Sequence, residues 1–167
     1  MREQGGARPR RILVIANETV AGEALREAIA HEAFDDGAEI LVVCPALNTR
    51  LKHWVSDVDK AVAAAARRLD VSLAALAEIG INANGRVGDA DPVQAIQDAL
   101  QTFPADEIII STHPRGRSNW LEKGVVERAR DRVDPPITHV VVDLVREQAV
   151  PSSSLAPEAA RSAPASE

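Results

Sequence analysis

The chain has 167 residues, enough for one well-buried domain and too few for two of ordinary size. A net charge of -6 and an aromatic content of 2% exclude the basic field and the stacking platforms of a general nucleic-acid binder. The single cysteine, Cys44, excludes an internal disulfide and a cysteine zinc cluster, and no run approaches the ~18 apolar residues of a membrane span.

The chain opens MREQGGARPRRILVIANE. Its arginine pair suggests a twin-arginine signal, but the apolar run stops at Asn17-Glu18, short of the ~7–15 residues of an h-region. The reading is therefore cytoplasmic, with residues 1–10 as a flexible arm. ILVIA, residues 12–16, is a short apolar run and forms the first buried strand. Helical spacing through Ala24, Leu25, Ala28 and Ile29 follows, ended by Asp35-Asp36-Gly37 with Gly37 suited to a left-handed C-terminal position.

Residues 39–44, EILVVC, form the second strand, stopped by Pro45. After the loop ALNTRLKHWVS, Ser56 caps a helix whose apolar face repeats at Val62, Leu69 and Leu76 and which ends at Gly80. Residues 81–87 read as the third strand, bulged at Gly85. Gly88-Asp89 turns the chain, Asp91 caps the next helix and Pro92 takes its first position. Pro104 stops that helix near Phe103.

Residues 107–132, EIIISTHPRGRSNWLEKGVVERARDR, combine a buried strand, a basic loop and an amphipathic helix with Leu121, Gly124, Val125 and Ala129 on one face. A strand, a basic loop and a helix start in that order suit an anion. Pro135-Pro136 breaks the chain before the last strand, residues 137–142. Residues 145–167 are Ser, Pro, Ala and Glu, too poor in large apolar groups to pack, and read as a disordered tail. Five strands alternating with four helices specify a single doubly wound α/β domain, with a parallel sheet covered by helices on both faces.

The residues ILVIANET, GRVGDADPVQAI and STHPRGRSNWLEKGVVERA, set in that βαβαβαβαβ order, resemble the universal stress protein family, one of the adenine-nucleotide α-hydrolase-like folds. The resemblance covers about residues 11–143 and makes 11–144 the domain. It implies the sheet order 3-2-1-4-5, a homodimer through the last strand, a stress-response role and an adenine nucleotide such as ATP as ligand, while the Arg- and Ala-rich usage suggests a bacterial source. ATP-binding members carry Gly-x2-Gly-x9-Gly-(Ser/Thr) after the fourth strand. Here those positions are Ser111, Pro114, Gly124 and Val125, so only Gly124 matches. Pro114 removes an N–H donor and Val125 removes a hydroxyl, which leaves His113, Arg115 and Arg117 to grip an anion by side chain.

In such sheets ligands bind outside the carboxyl ends of the strands, where the order switches. The residues expected to meet a ligand there are Asn17, Thr19, Val43, Gly88, Asp89, Ser111, His113, Arg115, Arg117 and Gly124. Arg50, Lys52 and His53 add to the basic edge, and Trp54 and Trp120 serve either as ligand roof or as core cover. Cys44 reads as a buried structural thiol, because no electropositive, accessible setting is evident for it. His31, His53, His113 and His139 lack ligand spacing, so no metal is expected. No Ser-His-Asp order or Walker motif is present, so no catalytic residue is assigned. The reading is a binding or regulatory module for a nucleotide or other small anion, without nucleic-acid or membrane partners. The alternatives are a ligand-free homodimeric interaction protein and, further off, a nucleotide hydrolase.

Overall fold

The computed structural model describes residues 8–16, 22–33, 37–46, 56–116, 120 and 123–149. Five strands, β1 (Arg11–Ile15), β2 (Glu39–Pro45), β3 (Ala83–Gly88), β4 (Glu107–Thr112) and β5 (Ile137–Val141), form one sheet of order β3-β2-β1-β4-β5. Every pairing is parallel, with Ile15 level with Val43 on one side and with Ile110 on the other. The parallel pairing follows from β-branched runs separated by helices long enough to cross back, and the order is the one that the resemblance implies.

Among the described residues, helices cover both faces of the sheet. Helices α1 (Glu23–Ala33) and α2 (Ser56–Glu78) pack Leu25, Ile29, Ala65, Leu69 and Leu76 on the face that carries Val14, Val42 and Ile109. Helices α3 (Pro92–Thr102) and α4 (Val125–Arg130) pack Val93, Ile96, Val125 and Ala129 on the face of Leu13, Val43 and Ile108. β1 and β4, the central strands, have Ile12, Leu13, Val14, Ile108, Ile109 and Ile110 wholly buried. Burial of such side chains stabilises by about 1.5–3 kcal/mol each.

Local signals explain most boundaries. Asp91 accepts a hydrogen bond from the Val93 N–H and Pro92 starts α3, the N-terminal arrangement the sequence predicts. Gly37 closes the turn after α1 at φ 68°. Two expectations are corrected. β3 pairs with β2 without a bulge, from Ala83 opposite Ile40 to Gly88 opposite Pro45. Gly85 instead leaves room for α2, since a Cβ there would lie 2.6 Å from Leu69 Cδ1 and 2.9 Å from Leu73 Cδ1, and those side chains would have to shift. The last amphipathic helix does not run through Gly124, which sits at φ 59° and caps α4, so the single face drawn through Gly124 and Val125 is broken there.

Val62 lies on the apolar face of α2, yet it is 42% exposed, as Val58 is at 53%. A further helix, α5 (Leu144–Ala149), starts at the last residue of the expected domain and takes in residues 145–149, which composition alone placed at the head of the tail.

The amino edge of the sheet is closed by ion pairs. Arg10 binds Glu32 of α1 and the buried Glu107 of β4, and Thr138 Oγ1 donates to Glu107 at 2.7 Å. Asp106 accepts from the Arg11 N–H and from Arg8, which hold its carboxyl below the usual carboxylate range. Residues 8–10, read as part of a loose arm, are thus engaged with the domain.

Candidate functional site

Parallel strands put all five carboxyl ends on one edge, and each helix starts from that edge. β1 sends its chain to the α1 face and β4 sends its chain to the α4 face. The crevice outside the ends of β1 and β4 is therefore the switch point where open α/β sheets take ligands.

Of the residues predicted for this edge, Val43, Gly88, Asp89, Ser111, His113, Arg115 and Gly124 are described. Asn17, Thr19 and Arg117 lie outside the described residues, as do Arg50, Lys52, His53 and Trp54. Ser111 and Thr112 end β4, and His113 and Pro114 follow half-buried. Arg115 is exposed beside Gly116, whose φ of 88° turns the loop. These residues stand next to β1, since Ala16 follows the Ile15–Ile110 pair.

Structural duties account for several others. The Val43 side chain is wholly buried, and its carbonyl accepts from the Ala16 N–H at 3.2 Å. Gly88 allows α3 to approach: a Cβ would lie 2.7 Å from Val43 Cγ1 and 2.8 Å from Ala95 Cβ. Its carbonyl accepts from the Ala46 N–H. Asp89 accepts from the Asp91 N–H at 2.8 Å, an Asx turn that sets up the α3 cap. Gly124 serves the turn into α4.

Ser111 differs. Its side chain is 1% exposed, and its Oγ has no hydrogen-bond partner among the described residues. An unpaired buried hydroxyl costs about 1–3 kcal/mol, so it marks a place that a polar ligand atom would favour. Trp120 belongs to the core between α3 and α4, and its buried Nε1 is likewise unpaired among the described residues.

Cys44 is buried, and desolvation pushes its thiol up to about 11, with Arg68 opposing in part. That is an inert thiol at neutral pH. No group of His, Cys, Asp and Glu able to hold a metal occurs among the described residues. No described helix is long and apolar enough to cross a membrane.

Two features escaped the sequence reading. Thr112 and His139 are in hydrogen-bond contact, brought together only by the β4–β5 register. Arg26 and Arg68 each bury an Nε that has no partner among the described residues. Nothing in their spacing separates them from solvated arginines; only the sheet and helix placement does.

No family model matches the chain, nor does any curated protein. Solved structures do. A universal stress protein from Archaeoglobus fulgidus superposes with a TM-score of 0.58 at 18% identity, over 82% of this chain and 100% of that one. The universal stress protein from the same organism in complex with dAMP gives 0.55 at 20% identity, over 80% and 98%. A universal stress protein in complex with cAMP gives 0.56 at 14% identity, over 82% and 100%. With its single sheet of order 3-2-1-4-5 and helices on both faces, the chain has the universal stress protein fold.

Proposed function

We infer that the protein is a divergent universal-stress-protein-like module that binds a nucleotide or other phosphate-bearing small molecule at the carboxyl edge of its sheet. The observation that carries this reading is the switch point between β1 and β4, with the buried unpaired Ser111 hydroxyl beside it and Arg115 exposed in the loop that follows. The dAMP and cAMP complexes of proteins with the same fold support an adenine nucleotide as the ligand class. The glycine loop of ATP-binding members is replaced at Ser111 and Pro114. Charge-assisted contacts from Arg115 and Arg117 then hold the anion in place of backbone N–H groups. Asn17, Thr19, Asp89, His113 and Gly124 complete the proposed edge. The protein acts as a cytoplasmic binding or regulatory partner in a stress response, without catalysis, and pairs with a second copy through β5.

A thermal-shift screen against ATP, AMP, dAMP, cAMP and non-nucleotide phosphates tests this. A ligand at ~100-fold its dissociation constant adds about 2.7 kcal/mol, and the reading requires that at least one of these compounds raise the midpoint. The second reading is a ligand-free interaction protein. It is favoured by the outer edge of β5, where Val141 is 47% exposed and Val145 beyond it 61%. A screen with no response would move the protein to that class.

A further inference from the structure

The two edges of the sheet hold their arginines differently. At the amino edge Arg8 binds Asp106 at 2.5 Å, Arg10 binds Glu32 at 2.6 Å and Arg11 binds Glu39 at 2.9 Å. At the carboxyl edge, the one arginine–carboxylate pair among the described residues joins Arg128 Nη2 to Asp91 Oδ1 at 3.2 Å.

The place of this pair follows from the helices that carry it. α3 lies against β3, β2 and β1, α4 lies against β5, and the two helices touch each other. Their seam therefore runs over the β1–β4 pairing, on the face of Leu13 and Ile108. Asp91 caps α3, and Arg128 stands in the first turn of α4, its N–H bonded to the Gly124 carbonyl. Their contact closes the seam at its carboxyl end, on the α3/α4 side of the switch point.

Three features make the pair easy to exchange. At 3.2 Å it exceeds the ~2.7–2.9 Å of a strong charge-assisted bond. Both side chains are exposed, so the pair adds little to stability. The same Asp91 oxygen already accepts from the Val93 N–H, so the carboxylate keeps a partner when the arginine leaves. A phosphate offers two oxygens to the planar fork of a guanidinium, where this carboxylate takes one N–H through one oxygen.

Resting on the reading of the β1/β4 crevice as the ligand site, we propose that Arg128 is a further phosphate-binding residue of that site. Asp91 holds its guanidinium in the empty protein, and the phosphate of the ligand takes it over. Asp91 is thus a competitor of the ligand, which fixes opposite signs for changes at the two positions.

The test is calorimetry with AMP and, separately, with inorganic phosphate. It uses the full chain and its Arg128→Gln, Asp91→Asn, Arg128→Gln/Asp91→Asn and Asp89→Asn variants. Asparagine keeps the α3 cap and drops the charge. Arg128→Gln is expected to weaken AMP by about tenfold, given the strength of charge-assisted contacts. Asp91→Asn is expected to tighten it by up to about fivefold, the strength of an exposed ion pair. In the double variant that gain should vanish, because no guanidinium is left to release. Asp89→Asn removes the same charge two residues away and should stay within about twofold of wild type. Inorganic phosphate that follows the same series shows that the position takes phosphate as such. A series followed by AMP alone ties it to the phosphate of the nucleotide, and both outcomes support the assignment. Equal binding by wild type and Arg128→Gln overturns it, as does an equal gain from Asp91→Asn with and without Arg128. If Arg115→Ala still weakens AMP in either case, the crevice reading stands without Arg128. A wild type that takes up neither AMP nor phosphate overturns the assignment too, and the crevice reading falls with it only if the wider screen is silent.

Discussion

Thr112 Oγ1 lies 2.8 Å from His139 Nε2 and ties the end of β4 to the edge strand β5. Both residues point to the α3/α4 face, with Arg130 and Glu127 of α4 near the ring. Burial lowers the His139 pKa below its ordinary 6.5, Arg130 lowers it further and Glu127 opposes them.

His139 is therefore neutral in the fold at a pH where the unfolded chain has begun to take up a proton. As pH falls below 6.5 the unfolded state binds more protons, so this residue subtracts stability until the folded pKa is passed. Denaturation of wild type and His139→Gln between neutral pH and pH ~5 checks this, because that window spans the ordinary histidine range. The glutamine variant keeps a partner for Thr112 and should lose part of the acid slope. Superimposable slopes would assign the acid sensitivity to other groups.

Gly88 packs where no side chain fits, against Val43 and Ala95. Gly88→Ala should destabilise the domain by about 1–3 kcal/mol, the range for overpacking a filled core, as read by chemical denaturation. An unchanged midpoint would mean that α3 can move away from the sheet at little cost.

The edge strand β5 exposes Val141 while the neighbouring Val142 is buried. If two copies pair through this strand, a lysine at 141 places a charge in the seam and removes apolar contact. Wild type should run as a dimer at micromolar concentration in light scattering, and Val141→Lys should shift toward monomer. A wild-type monomer would remove the dimer from the account.

Much of the fold is legible in the chain because its signals are local. The Ile108-Ile109-Ile110 run, the Asp91-Pro92 cap and the Gly37 stop each depend on a few adjacent residues. Gly85 and Gly124 were misread for a related reason. A glycine in a strand or an apolar stripe gives no sign of whether it relieves a clash, as at Gly85, or takes a left-handed turn, as at Gly124. The candidate site is less legible because it is assembled across elements. Ser111 is singled out by a hydroxyl without a partner among the described residues, and Val43 and Gly88 prove to be engaged in packing.

The account's central claim is that an anionic nucleotide is held at the carboxyl edge by side chains rather than by a glycine loop. Calorimetry of AMP and ATP with wild type and Arg115→Ala/Arg117→Ala tests it most directly. Charge-assisted contacts contribute about 1.5–3 kcal/mol each, so the double variant should bind well over tenfold more weakly while circular dichroism stays unchanged. Tight nucleotide binding by wild type that survives loss of both arginines would contradict it.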